Sequence, residues 1–160
     1  MRTPSALGLG VLAIASVLSG CAGEGGGGGG GAPQPPRCKP PAGGATVSFA
    51  NNIQPIFNRS CAVPGCHVPP VPTGGQDLTS ARSYRQAVNT PSTQVRGIDR
   101  VEPGNPDRSY MLRKIQGGPG IAGTTMPQGC PGAPLNGAQC LSPDDIAAIV
   151  QWITECAPNN

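Results

Sequence analysis

Apolar positions recur at helical spacing in three stretches of this chain, and between them the pattern dissolves. In "NNIQPIFNRSC", Ile53, Ile56 and Phe57 fall on one helix face. Asn51 or Asn52 is the expected N-cap there, which puts Pro55 in the first turn, where its missing N–H had no partner anyway. In "NPDRSYMLRKIQGG", Asn105 is the expected cap, Pro106 the first helical residue, Asp107 a favourable charge at the positive end of the dipole, and Gly117 the stop. The clearest signature is "LSPDDIAAIVQWITECA". Ser142 caps it, Pro143 opens it, Asp145 completes a capping-box-like pair, and Ile146, Ile149, Val150 and Ile153 form the apolar stripe. A shorter helix is expected between Ser80 and Val88. No segment alternates with the period of two that marks a half-buried strand. The expected fold class is therefore all-α, with three to four short helices joined by long Gly/Pro-rich loops.

Those loops change the picture. The longest, "GGPGIAGTTMPQGCPGAPLNGAQC" from Gly117 to Cys140, has no periodicity, and a loop of that length inside a domain is usually functional or built around something. The chain has only two Phe, two Tyr and one Trp against 25 Gly and 20 Pro. Its own side chains supply little core volume, and small domains with thin cores usually add disulfides, a metal or a cofactor.

The N-terminal stretch divides from the rest by composition. "MRTPSALGLGVLAIASVLSGC" has a basic start at Arg2 and an apolar run from Leu7 to Leu18, too short to span a bilayer, so residues 1–20 read as an export signal. Leu18, Ser19, Gly20 and Cys21 match the lipobox of bacterial lipoproteins, in which the cysteine is acylated and becomes the new N-terminus. An ordinary signal peptide that happens to place a cysteine there is the alternative. Acyl chains contribute roughly 0.8 kcal/mol per buried CH₂, so several on one residue would hold the protein on a membrane. The expected location is the bacterial cell envelope, with the membrane as a partner. Ala22, in place of an inner-membrane retention aspartate, leans toward the outer membrane. Residues 21–46 then comprise the lipidated cysteine and a tether, flexible where glycine-rich and stiff where proline-rich. One domain is left, residues 47–160. With Arg2 removed, ten basic side chains face eight acidic ones, a balance near +2 that implies no nucleic-acid partner.

The candidate chemistry sits in "CAVPGCH", residues 61–67, which holds the only histidine and two of the seven cysteines. Three readings fit it. Oxidising surroundings would favour a disulfide between Cys61 and Cys66, leaving His67 incidental. Zinc could take Cys61, Cys66 and His67, although adjacent Cys66 and His67 chelate one tetrahedral ion awkwardly and no further histidine is available. Covalent haem needs two thiols for its vinyl groups and a histidine directly after the second for iron. The usual spacer is two residues and here it is four, but Pro64 and Gly65 offer a turn that folds the excess back. With one histidine, the second axial ligand would be a methionine. Met111 lies in a helix, where packing is its default role, whereas Met126 lies in the long loop, in "TTMPQG".

Taken together, "FANNIQPIFNRSCAVPGCH", "RVEPGNPDRSYMLRKIQG", "TTMPQG" and "LSPDDIAAIVQWITECA" resemble the small cytochrome c-like domains carried on bacterial lipoproteins, over Phe49 to Cys156. The resemblance implies a small cytochrome c-like fold around a covalent haem c. It further implies thioether attachment through Cys61 and Cys66, with axial ligation by His67 and Met126. In such a fold Ile53 and Phe57 would meet Ile149, Trp152 and Ile153, and Trp152 is by spacing a core residue. Arg96 and Arg100 are candidate partners for the propionates, with nothing in the sequence to choose between them. An iron with both axial positions filled leaves no place for substrate, so the implied role is one-electron transfer with a redox partner protein rather than catalysis. The competing class is a non-haem, disulfide-stapled lipoprotein domain with a binding or structural role.

Cys38, Cys130, Cys140 and Cys156 remain, and four cysteines allow three pairings that sequence does not decide. The preferred hypothesis joins Cys130 to Cys140, closing the loop that carries Met126, and Cys38 to Cys156, tying the tether to the last helix.

Overall fold

Helix α1 spans Gln54–Ser60 and grows out of a π-type turn, Phe49–Ile53, in a computed structural model that describes residues 38–160. The expected export signal over residues 1–20, the lipidation of Cys21 and most of the tether lie outside the described residues. The cap of this first element is Ser48 rather than Asn51 or Asn52. Its hydroxyl accepts the Asn51 N–H, while the Asn52 side chain reaches back to accept the Ser48 N–H at 2.8 Å. That reciprocal pair moves the start of helical structure several residues ahead of Pro55.

Helix α2 is short, Ser83–Ala87. Helix α3 runs Tyr110–Gln116 and stops at Gly117, whose φ of 79° suits glycine. Its start differs from the expectation at Asn105. Pro106–Arg108 form only a 3₁₀ turn, and Ser109 is extended between that turn and the helix. The buried Ser109 hydroxyl donates to the Asn105 carbonyl at 2.9 Å and accepts the Glu102 N–H at 3.0 Å. A side chain so bonded holds its backbone out of the helix. Helix α4, Pro143–Thr154, has the expected Ser142 cap and the full capping box with Asp145. Among the described residues there are no strands, only isolated bridges such as Val88 to Val101.

The core lies where the π-type turn and α3 pack on α4, with Phe57 of α1 reaching the same cluster. Ile53, Phe57, Ile149, Trp152 and Ile153 are all fully buried in one cluster. Phe49 stands edge-to-face to Phe57 and Tyr84, with ring centroids 6.1 and 5.2 Å away, and is tilted 5.3 Å from Trp152. Four of the five aromatic residues therefore meet on this side.

The first described residues and the end of α4 are bonded to the same side. Cys38 is disulfide-bonded to Cys156, and a Cβ at Gly104 would come within 2.5 Å of the Cys38 sulfur, so only glycine fits beside that bridge. The Glu155 carboxylate accepts from the Thr46 hydroxyl at 2.6 Å and from the Val47 N–H at 3.0 Å. Residues 38–46, tether-like in composition, are thus bonded to the helical domain.

Candidate functional site

Past Ser60, the chain turns back on itself to place both cysteines and the histidine. The Cys66 N–H bonds the Val63 carbonyl across Pro64 and Gly65, and Gly65 has φ of 77° as the third position of a type II turn requires. The His67 N–H then returns to the Cys61 carbonyl at 3.1 Å. The four-residue spacer is in this way folded into a compact loop. Cys61 and Cys66 are both free and both partly exposed, so the disulfide reading of this stretch does not describe the structure.

Cys61, Cys66 and His67 line one wall of a cleft with about 1120 Å³ of empty space counted to its open mouth. Both methionines line it as well: Met111 from α3 and Met126 from the long loop. Met111 packs against the buried core cluster, and Met126 does not belong to that contact set. Phe57, Leu78, Ile115 and Ala138 give the cleft apolar walls.

The orientation of His67 follows from its hydrogen bond. Nδ1 lies 3.1 Å from the Gln76 carbonyl oxygen, which can only accept, so Nδ1 carries the proton and Nε2 keeps its lone pair. Metal-ligating histidines commonly have their second nitrogen fixed by a carbonyl in this way. Burial pushes the His67 pKa below its ordinary value, against its backbone hydrogen bonds, and the nearby Arg100 and Lys114 charges act in the same direction. The imidazole is therefore neutral and available as a ligand at neutral pH.

The thiol of Cys61 behaves differently. Desolvation, then the neighbouring Cys66, push it up to about 12 against the pull of Arg59. A thiol held neutral is not an attacking thiolate, so Cys61 and His67 are not set up as a nucleophile and base.

The cleft also carries two buried cations, of which Arg100 is a candidate in the sequence and Lys114 is not. Arg100 and Lys114 are each 8 % exposed, and among the described residues neither is ion-paired with a carboxylate. Arg100 donates to the Gln86 carbonyl at 2.8 Å, and Lys114 to the Ala122 and Thr124 carbonyls. Arg96, the other arginine considered, is exposed and does not line the cleft. Two buried polar atoms, Ser60 Oγ and Gln76 Nε2, have no hydrogen-bond partner, and both residues line the cleft. Unpaired cations and orphaned donors around an apolar space are the environment that a flat apolar group bearing carboxylates satisfies. Among the described residues, no three His, Cys, Asp or Glu side chains converge to hold a metal ion by themselves, which leaves the zinc reading without a ligand set. The residues present fit haem, which brings its own four nitrogens.

The far rim is the 117–140 loop, cross-linked by a disulfide from Cys130 to Cys140. From this loop the side-chain nitrogen of Asn136 approaches the Cys66 sulfur at 3.5 Å, and a Cβ at Gly65 would come within 3.1 Å of it. The crossover of Asn136 onto the cysteine turn is a long-range contact that local spacing does not encode.

No family model, no curated protein and no solved structure matches the chain. Among the described residues, no helix is long and apolar enough to cross a membrane.

Proposed function

We propose that this protein is an envelope-anchored one-electron carrier with a covalently attached c-type haem, held on the membrane by lipid on Cys21. The observation that carries the reading is the meeting of Cys61, Cys66, His67 and Met126 on one cleft, with the His67 Nε2 lone pair left free. The Cys61 and Cys66 thiols would hold the group covalently, each adding its S–H across one vinyl group with no oxidant consumed. His67 Nε2 and the Met126 sulfur would hold the iron, and a thioether ligand would raise its reduction potential relative to a second imidazole. Arg100 would hold a propionate, which would supply the carboxylate that this buried guanidinium lacks. When bound, haem accepts one electron from a donor protein and passes it to an acceptor. The chain's share is to fix both axial ligands and to keep water from one face of the cleft with Phe57, Leu78 and Ile115.

The test is the visible spectrum of the full chain made in a host with haem-attachment machinery. A Soret band that stays with the protein through acid–acetone extraction supports covalent haem. A colourless protein with Cys61 bonded to Cys66 points instead to a non-haem, disulfide-stapled domain.

A further inference from the structure

Lys114 occupies a costly position. It is 8 % exposed on α3, its burial depresses its pKa, and among the described residues it has no carboxylate partner. A methionine of similar length would fill the same space without burying a charge, so packing alone does not account for a lysine there. What the ammonium reaches is the loop leading to Met126. It donates to the carbonyl of Ala122 at 2.8 Å and to that of Thr124. The Lys114 backbone carbonyl accepts the Met126 N–H at 2.7 Å. One residue thus bonds the loop at three points within five residues.

Its neighbours on α3 extend the same contact. One turn earlier, the Tyr110 hydroxyl accepts the Ala122 N–H at 2.9 Å. One turn later, a Cβ at Gly117 would come within 2.9 Å of the Thr125 methyl, so glycine lets the loop lie close to the helix end. The segment from Ala122 to Met126 is laid along α3 rather than hung across the cleft.

We infer that Lys114 is a positioning residue for Met126, holding the loop so that the thioether is presented to the cleft whether or not haem is there. The ligand role of Met126 rests on the haem reading; the gripping of the loop does not. A preset loop lowers the cost of ordering the methionine on ligation, and it disfavours exchange of Met126 for Met111 or water.

The test uses the full chain with Lys114→Met, Lys114→Gln and Lys114→Arg. The first readout is amide hydrogen exchange at Ala122 to Met126, which needs no haem. In Lys114→Met the Met126 amide is expected to exchange about tenfold faster, on the scale that loss of one or two hydrogen bonds sets. Lys114→Gln should give a smaller increase and Lys114→Arg the smallest; these two carry the test should Lys114→Met fail to fold. The second readout, in haem-loaded protein, is the thioether-to-ferric-iron charge-transfer band and the midpoint potential. Lys114→Met should weaken the band and lower the potential at unchanged haem content. Unchanged Met126 exchange with the band intact overturns the assignment. A protein that never takes up haem overturns the ligand role instead, a failure the Soret region reports separately.

Discussion

The side of the molecule where the π-type turn packs on α4 is filled by the chain's own side chains, and the side where α1 runs into Cys61 is not. Phe49, Phe57, Tyr84 and Trp152 gather on the first side, with Ile149 and Ile153 buried beneath them. The second side has sulfur, imidazole, two buried cations and two unsatisfied polar atoms around open space. Of the five aromatic residues four meet in that cluster, and only Phe57 of these, together with Tyr110, also lines the cleft, so most of the aromatic core material lies on the first side. The closed side is where the chain's own side chains supply stability, and the open side is where the proposed haem would add the apolar body that the chain lacks.

The largest effect expected from that contrast is at Trp152. It is fully buried, and its indole N–H donates to the Pro158 carbonyl at 3.0 Å. Trp152→Ala should cost about 3–5 kcal/mol in denaturant unfolding, the range for large aromatic truncations in cores. The contrast breaks if a cleft residue such as Met126 proves equally costly in protein without haem.

The two disulfides sharpen the comparison. Cys38–Cys156 closes the chain over a separation of 118 residues on the filled side, and Cys130–Cys140 closes one of 10 on the cleft rim. Constraint of the unfolded chain grows with loop length, so removing the long bridge by a Cys38→Ala, Cys156→Ala pair should cost about 5 kcal/mol and removing the short one about 2–3 kcal/mol. Chemical unfolding of each double variant, compared by midpoint, checks the order. A larger loss from the rim bridge would mean that the rim is part of the stabilising core.

Acid acts on the filled side through Glu155. The Thr46 hydroxyl first, then the Val47 N–H, hold its pKa at about 2, below an ordinary 4.5. The sign follows from linkage: a carboxylate with a depressed folded-state pKa contributes stability that is fully present above the unfolded value. That contribution is lost as pH falls from about 4.5 toward 2. Thermal unfolding of the wild type should therefore weaken across this window, and Glu155→Gln should be less stable at neutral pH with a flatter acid limb. Equal slopes for the two proteins would remove Glu155 from the clasp.

The filled side was also the more legible in sequence. The capping box of α4 and its stripe at Ile149 and Ile153 are local signals, and local signals specify helices well. The start of α3 was not legible, because Ser109 is drawn out of the helix by bonds to Glu102 and Asn105 that depend on where the 102–105 segment lies. At the cleft, the cysteines, the histidine and both methionines stood out by residue type. Their convergence, the cations Arg100 and Lys114, and the contact of Asn136 on Cys66 depend on long-range packing that has no period to read.

The smallest stability effect, and the sharpest separation of the two sides, is expected at Met126. It is half-buried with one side toward the cleft, so Met126→Ala should cost about 1 kcal/mol or less in protein without haem, well under the loss for a truncated core residue. In haem-loaded protein the same change should leave the Soret band attached, because the proposed thioethers to Cys61 and Cys66 would be untouched. It should also lower the reduction potential and broaden the ligand-field bands as water or Met111 competes for iron. Met111→Ala should reverse the pattern: a larger stability loss, because Met111 packs on the core cluster, and little change in potential. Parallel redox titrations and unfolding curves of the two variants decide the matter. If Met111→Ala lowers the potential and Met126→Ala does not, the axial ligand comes from α3, and the long loop serves only to close the cleft.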